Sequence, residues 1–106
     1  MPGTEWTKSE KRIARHVFDA ALERELAAVM AEFKLRAAAA KEADDIWATE
    51  EYLTRARKDI NAKYEYSYSR IVMLFGWLLR EGRIEEHELD GLAEDKLVSI
   101  RYISSC

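Results

Sequence analysis

The chain of 106 residues is poor in the residues that break or turn a backbone, with one proline and four glycines. This shortage excludes a fold of many short strands and favours a few long helices. Cysteine is equally scarce: Cys106 stands alone, so no intramolecular disulfide can form and a reducing cytoplasm is expected. An excess of basic residues is also missing, and the formal net charge of −3 argues against a nucleic-acid binder.

Long apolar runs are absent as well. The longest, Ile71 to Leu79, is far shorter than the roughly 20 residues that a membrane-spanning helix needs. It therefore predicts a buried core helix and no membrane insertion. The first residues do not form a basic-then-apolar leader, and Trp6 to Glu10 is typical of the start of a folded helix. We expect a cytoplasmic protein with one helical domain, residues 1–106.

In contrast to these absences, the chain shows a clear helical periodicity of its apolar residues. Thr7-Lys8-Ser9-Glu10 has the form of a capping box. The apolar residues that follow it recur every three or four positions and predict a first helix over 8–41: Ile13, Val17, Phe18, Ala21, Leu22, Leu26, Val29, Met30, Phe33, Ala37 and Ala40. A second helix is predicted over 45–64, where the acidic pair Asp44-Asp45 is suited to its start.

Two further helices are predicted, over 67–81 and 85–102. The third contains the apolar run and is expected to end at Gly82, a residue suited to the C-terminal cap. The fourth shows an amphipathic pattern that would close a small head against the third: Leu89, Leu92, Ala93, Lys96, Leu97 and Ile100. The fold class is therefore all-α.

The length of the first helix indicates a homodimer. About 34 helical residues span about 50 Å, whereas a compact chain of about 100 residues has a radius of gyration near 13 Å. Such a helix either breaks or protrudes and covers its apolar stripe with a second copy, which two-fold pairing achieves most simply. In the second helix, Ile46, Leu53 and Ile60 lie seven residues apart, as in a short heptad seam against another long helix.

Residues for covalent catalysis are not evident. The lone thiol lies at the chain end, and His16 and His87 have the neighbours of solvated helix residues. The sequence Glu86-His87-Glu88 leaves a metal protein or small enzyme as an alternative, but adjacent helix residues do not share a face and no second histidine is near. We expect no enzyme, no cofactor and no metal.

One stretch, residues 44–64, carries the residue types of a protein interface. Trp47 lies one helical turn from Glu50 and Glu51, and Arg57 lies two turns beyond Glu50. An aromatic residue, acids and an arginine side by side are typical anchors of a binding surface. The alternative is that Trp47 belongs to the core and the charges are solvated.

Segments spread in order over nearly the whole chain resemble the fluorescence recovery protein family of cyanobacteria. They are Trp6 with its Thr/Ser-x-x-Glu cap, Glu23-Arg24-Glu25-Leu26, Asp44-Asp45-Ile46-Trp47, Lys58-Asp59-Ile60-Asn61-Ala62-Lys63-Tyr64, Leu78-Leu79-Arg80-Glu81-Gly82, Glu88-Leu89 and Leu92-Ala93-Glu94-Asp95-Lys96. No single segment is specific, but their joint spacing is.

The resemblance implies an all-helical homodimer with an extended paired stalk, about 8–64, and small helical heads, about 67–102. It implies a non-enzymatic regulator that binds the C-terminal domain of the photoactivated orange carotenoid protein, or a similar domain. Binding would speed the return to the inactive orange form and end the quenching of phycobilisome fluorescence. Such a regulator lowers a conformational barrier by binding the transition region of a two-state partner.

Carried over by position, the resemblance implies a partner-binding and dimer surface on the second helix. The partner-binding residues would be Trp47, Glu50, Glu51, Arg57, Met73 and Ser99, and the dimer interface would contain Ile46, Trp47, Leu53 and Arg57. Glu50-Glu51 stands where the family commonly has His followed by Asp. Met73 and Ser99 stand where a bulky aromatic residue and a lysine are expected. The same scaffold serving a different protein partner, as an interaction module or holdase, is the second interpretation.

Overall fold

The computed structural model describes residues 5–106 and is all-α in that range, as predicted. Its helices are α1 (Lys8–Ala39), α2 (Ala43–Lys63), α3 (Ile71–Arg80), a short 3₁₀ turn (Glu86–Leu89) and α4 (Glu94–Ser105). The first two agree with the predicted bounds to within two residues, the ordinary uncertainty of a helix end.

The start of α1 is fixed by the predicted capping box. Thr7 Oγ1 accepts a hydrogen bond from the Glu10 amide, and the Thr7 amide donates to Glu10 Oε1, each at 3.1 Å. These bonds satisfy two backbone donors that a helix start would otherwise leave free. The cap therefore determines where the helix begins.

Helices α1 and α2 form an antiparallel hairpin. At its tip, Asp45 Oδ2 accepts hydrogen bonds from the amides of Lys41 and Glu42, at 2.9 and 3.1 Å. Asp45 makes these bonds from the third position of α2, and the N-cap is Glu42 instead of the predicted acidic pair. These two backbone bonds lower the pKa of Asp45. Thr49 and Ile60 are the buried residues of α2.

Helices α3 and α4 pack closely and run in the same direction. A Cβ built on Gly76 would lie 2.4 Å from Ile103 Cγ2, so only glycine permits this approach. At the far end, Arg80 Nη1 donates to the carbonyl oxygen of Cys106 at 2.8 Å. Gly82 follows α3 with φ of +75°, the left-handed conformation expected of a residue just past a helix end.

Two predicted helix bounds are wrong. Instead of a continuous helix over 85–102, the chain makes the 3₁₀ turn and then passes through Gly91, whose φ of +103° breaks helical continuity, before α4 begins. Helix three starts at Ile71 and not at 67, because residues 67–70 form a turn in which the Arg70 amide bonds the Ser67 carbonyl. Serine hydroxyls compete with helical hydrogen bonding, and here those of Ser67 and Ser69 bond each other.

The hydrophobic core lies at one end of the molecule. It joins the first half of α1 to α3, the 3₁₀ turn and α4, and consists of Ala14, Val17, Phe18, Ala21, Ile71, Leu74, Phe75, Leu78, Ile84, Leu89, Leu92 and Ile100. We call this end the head, and the hairpin formed by the second half of α1 and by α2 the stalk. On the stalk, Leu26, Met30 and Phe33 of the predicted apolar stripe are exposed.

The described part of the chain is elongated, with extents of 56 × 26 × 21 Å and a radius of gyration of 16.8 Å. A compact chain of this length would have a radius of gyration near 13 Å. The length of α1 therefore makes it protrude from the head. Within residues 5–106, no helix is both long and apolar enough to cross a bilayer.

Candidate partner-binding surface

The stalk presents two large apolar side chains of α2 to solvent. Ile46 is 54% exposed and Trp47 is 59% exposed in the single chain. The alternative that Trp47 belongs to the core of this chain is therefore wrong. Full burial of a side chain of this size stabilises by about 1.5–3 kcal/mol, so both residues gain when a second surface covers them.

The charged residues lie on the exposed side of the same helix. Glu50, Glu51 and Arg57 are all exposed, whereas Thr49 and Ile60 are buried. At 100° per residue, Ile46, Glu50 and Arg57 share one flank of α2, Trp47 lies next to it, and Glu51 is further round. The structure thus brings most of the predicted patch to one side of the stalk.

Of the charged residues in this patch, Glu50 is hydrogen-bonded within the helix, whereas Arg57 has no carboxylate partner among the described residues. Glu50 Oε2 accepts a hydrogen bond from Thr54 Oγ1 at 2.7 Å. Within residues 5–106, Arg57 has no carboxylate within ion-pair distance, so the chain itself does not join it to Glu50 or Glu51. Its planar donor group can bind a carboxylate from another chain.

Only part of the predicted heptad seam of α2 is buried within one chain. Ile60 is buried, Leu53 is half-buried and Ile46 is exposed. A straight α-helix drifts by about 20° per heptad, and the seam therefore turns away from α1 towards the tip of the hairpin. This end of the seam is free to pack on another helix.

The two predicted head residues are at the surface on neighbouring helices. Met73 lies on α3 and is 37% exposed, and Ser99 lies on α4 and is exposed. Met73 lies one turn before Gly76 on α3, and Ser99 directly precedes Ile100, whose carbonyl faces Gly76, so both residues lie close to the contact between the two helices. They belong to the head, apart from the patch of the stalk.

A charged cluster that no sequence pattern predicted joins the stalk to the head. Lys63 Nζ lies 3.0 Å from Glu25 Oε1 and 2.5 Å from Glu81 Oε1, and Arg83 Nε lies 3.2 Å from Glu25 Oε1. Tyr64 donates its hydroxyl to the same Glu25 oxygen at 2.7 Å. The only sequence signal for this cluster is the family resemblance, because four of its residues lie in the segments that carry it: Glu25, Lys63, Tyr64 and Glu81.

The cluster fixes the charge of its central acid. Burial raises the pKa of Glu25, but hydrogen bonds from Tyr64 and Lys63 outweigh it and leave that pKa lowered. Burial and the bond to Glu25 raise the pKa of Tyr64. Glu25 therefore remains an anion and Tyr64 a neutral donor near neutral pH.

A second contact between stalk and head is bidentate. Arg24 Nη2 and Nη1 bond the two carboxylate oxygens of Glu88 at 2.7 and 3.0 Å, and Nη1 also donates to the Arg83 carbonyl at 2.8 Å. The bond from Arg24 lowers the pKa of Glu88 despite partial burial. Paired donors of this kind fix orientation as well as distance.

A buried ion pair lies inside the head. Lys96 Nζ is 2.8 Å from Glu10 Oε2, and the two side chains are 3% and 6% exposed. Burial raises the pKa of Glu10, but hydrogen bonds from Lys96 and from the Ala93 and Thr7 amides outweigh it and lower that pKa to about 2. A lysine at an apolar position of the α4 pattern was the sequence signal for this pair.

Both glutamates of the Glu86-His87-Glu88 segment form ion pairs with arginines. Glu86 pairs with Arg101, Glu88 with Arg24, and His87 Nδ1 lies 3.1 Å from Glu85 Oε2. Across the described residues, no three His, Cys, Asp or Glu side chains gather closely enough to hold a metal ion. Of the side chains behind the metal alternative, Glu86 pairs within the head and Glu88 joins the head to the stalk.

Residues 6–104 match the family model described as "Photoprotection regulator fluorescence recovery protein". The chain belongs to this family. A fluorescence recovery protein of Synechocystis sp. is 32% identical over 99 residues, which cover 93% of this chain and 91% of that protein. The family resemblance predicted from the sequence is thus confirmed.

Solved structures of the family share the fold. That of the Fremyella diplosiphon fluorescence recovery protein is similar with a TM-score of 0.91 and 34% identity, over 96% of this chain and all of that one. The Synechocystis structure gives the same TM-score and coverage at 31% identity. The family description names a photoprotection regulator, and the relatives carry the name fluorescence recovery protein.

Proposed function

We propose that this protein is a homodimeric regulator that binds the C-terminal domain of photoactivated orange carotenoid protein, or a similar domain. Binding accelerates the return of that partner to its inactive orange form and ends phycobilisome fluorescence quenching. The proposal rests mainly on the exposure of Ile46 and Trp47 on the stalk. It also rests on the membership of this chain in the fluorescence recovery protein family.

Dimerisation is supported by the apolar surface of the stalk. Leu26, Met30, Phe33, Ile46 and Trp47 are exposed in the single chain, all on the hairpin that extends from the head. Exposed apolar patches of this kind mark protein interfaces. Two-fold pairing of stalks would cover them and bring two copies of Arg57 and its neighbours together.

The mechanism needs only differential binding. A partner with two conformations shifts towards the one that is bound more tightly, and it converts faster when the region between them is bound best. Trp47 would supply apolar contact, and Arg57, which has no carboxylate partner among the described residues, would bind an acidic group of the partner. Met73 and Ser99 would extend the contact onto the head.

The test is the dark recovery of photoactivated orange carotenoid protein, followed by absorbance with and without this protein. Wild type should accelerate the recovery, and Arg57→Leu should reduce the effect because leucine keeps apolar bulk but loses every donor. Arg57→Lys should be intermediate. Arg55→Leu is the matched control, since it removes another exposed arginine of α2 from a different face.

Dimer mass is measured on each variant, because Arg57 is also assigned to the dimer interface. If the Arg57→Leu variant remains dimeric and fully active, the assignment of Arg57 to the partner-binding surface and the dimer interface is refuted. No acceleration by wild type at tens of micromolar would refute the carotenoid partner.

A different protein partner for the same scaffold, as an interaction module or holdase, is the second candidate. It is favoured by the exposed Met73 and Ser99, which replace the expected aromatic residue and lysine, and by Glu50 in place of histidine. If wild type is inactive on the carotenoid protein, Met73→Phe combined with Ser99→Lys should confer measurable acceleration. Inactivity of that double variant as well would favour the second candidate.

A further inference from the structure

The first two turns of α1 carry a basic face on the head. Lys8, Lys11, Arg12 and Arg15 are all exposed, and their spacing places them within an arc of about 100° on the helix. We call these four residues the basic face. Its charge contrasts with the formal net charge of −3 of the whole chain.

Three of the four cations are free of ion pairs. Over residues 5–106, neither Lys8, Lys11 nor Arg12 lies within ion-pair distance of a carboxylate, and only Arg15 has one, to Asp19 at 3.2 Å. Elsewhere in the head the pattern is different: Arg83, Lys96 and Arg101 each contact a carboxylate. The basic face is therefore a local concentration of unneutralised charge.

Tyrosines from the segment between α2 and α3 border this face. Lys11 Nζ lies 5.5 Å from the centre of the Tyr68 ring, and the Arg15 guanidinium lies 4.5 Å from that of Tyr66. The two hydroxyls are 3.2 Å apart, and Trp6 packs on Tyr68 with ring centres 5.3 Å apart. Tyr68 is still 37% exposed, so cations and aromatic surface are offered together.

We infer that the basic face is a second docking surface, whose occupant is an acidic protein segment. Carboxylates of that segment pair with Lys8, Lys11 and Arg12, and its apolar groups lie on Tyr68. Charge complementarity of this kind steers association and selects partners, and arginine and tyrosine are typical anchors of such contacts. This surface is separate from the stalk patch and does not depend on the carotenoid partner.

Other anionic occupants fit less well. A membrane-surface helix must insert an apolar face between lipids, but the apolar side of α1 here, including Val17 and Phe18, is buried in the head. A nucleic acid needs a more extended basic surface than one face of two turns. The combination of few charges and adjoining tyrosines favours a protein.

The test uses a fluorescein-labelled peptide of glutamate and tyrosine separated by glycine, titrated with the full-length protein and followed by anisotropy. Wild type should bind it, more weakly as salt is raised, because exposed charges are screened over about 10 Å at 0.1 M. A peptide with glutamine in place of glutamate should not bind. Equal binding of both peptides would overturn the inference.

Two charge-reversal variants localise the binding. The combined substitution Lys8→Glu, Lys11→Glu and Arg12→Glu should weaken it at least about tenfold, which corresponds to about 1.4 kcal/mol. The matched control, Lys34→Glu, Lys41→Glu and Lys58→Glu, changes the net charge equally but alters exposed lysines of the stalk, and should bind like wild type. Equal loss in both variants would show a net-charge effect and contradict the assignment to the basic face.

Two further measurements complete the test. Circular dichroism should show unchanged helix content in both variants, and Tyr68→Ala should bind the peptide more weakly with unchanged salt dependence. Sedimentation with phosphatidylglycerol vesicles should leave the protein in the supernatant. Binding to vesicles in the absence of binding to the peptide would overturn the inference in favour of a lipid surface.

Discussion

Head and stalk use the same kind of helix in opposite ways. In the head, α1, α3 and α4 enclose a common core, and residues such as Ile71, Phe75 and Leu78 are fully buried. In the stalk, α1 continues with only α2 beside it, and apolar residues of the same stripe are exposed. The head is therefore packed within one chain, whereas the stalk leaves apolar side chains exposed in the single chain.

The largest effect is expected from a charge placed on the stalk. Ile46→Glu should convert a dimer of about twice the 12.3 kDa chain mass into a monomer. Two-fold packing would bury a carboxylate without a counter-charge, at a cost of about 3–5 kcal/mol. Light scattering at micromolar concentration measures the mass.

Val98→Glu is the matched control, since Val98 on the head is also 54% exposed; it should stay dimeric. A monomeric wild type would refute the proposed stalk pairing.

A matched pair of leucines compares the two regions directly. Leu78→Ala, at a fully buried position of the head, should lower the free energy of unfolding by about 2–5 kcal/mol. Leu35→Ala, at a position 68% exposed on the stalk, should change it by no more than about 0.5 kcal/mol. Urea unfolding followed by circular dichroism, at two protein concentrations, gives both values.

Similar losses of unfolding free energy in the two variants would contradict the conclusion that the head is packed within one chain and the stalk is not. A loss for Leu35→Ala that varies with protein concentration would instead show that a second copy covers this residue.

Acid should weaken the head through Glu10. Its pKa is about 2 when folded and near 4.5 ordinarily, so its stabilising contribution is complete above pH 4.5 and is lost as pH falls towards 2. The shift corresponds to about 3 kcal/mol. The difference in unfolding free energy between wild type and Glu10→Gln should therefore shrink over this range.

Glu23→Gln, which alters an exposed acid of α1, should follow wild type throughout. A constant difference between wild type and Glu10→Gln from pH 7 to 2 would contradict the stabilising role of the Glu10 charge.

The smallest effect concerns the stalk hairpin. Arg36 pairs with Glu32 at 2.8 Å, and its guanidinium lies 4.5 Å from the centre of the Tyr52 ring. Arg36→Gln should cost no more than about 1 kcal/mol, because both contacts are partly exposed. Lys34→Gln, on the same helix without an ion pair in the described residues, should change the unfolding free energy less.

Periodicity and caps predicted much of this fold because they are local. The Thr7–Glu10 capping box, the long α1 and the stop at Gly82 each depend on residues within one or two turns. The break at Gly91 was missed because a single glycine in an amphipathic pattern does not reveal its φ. The early start assigned to helix three ignored competition from Ser67 and Ser69.

Less of the candidate site than of the fold could be predicted from the sequence. Trp47 is exposed because no third helix of residues 5–106 lies beside the stalk, and no local sequence pattern encodes this. The pairs Lys63–Glu25 and Lys96–Glu10 join residues 38 and 86 positions apart, and charge spacing along one helix cannot reveal them. Family resemblance marked several of these residues without giving their contacts.

The pairing of Glu10 with Lys96 has a consequence for the order of folding. Contacts across 86 positions form late, because the chain must close a large loop before they are gained. During synthesis the α1–α2 hairpin can form as soon as residue 63 is available, but the head must wait for α4. Until then the side of α3 that packs on α4, including Gly76, is uncovered, and a nascent chain halted before residue 94 would expose it to chaperones and proteases.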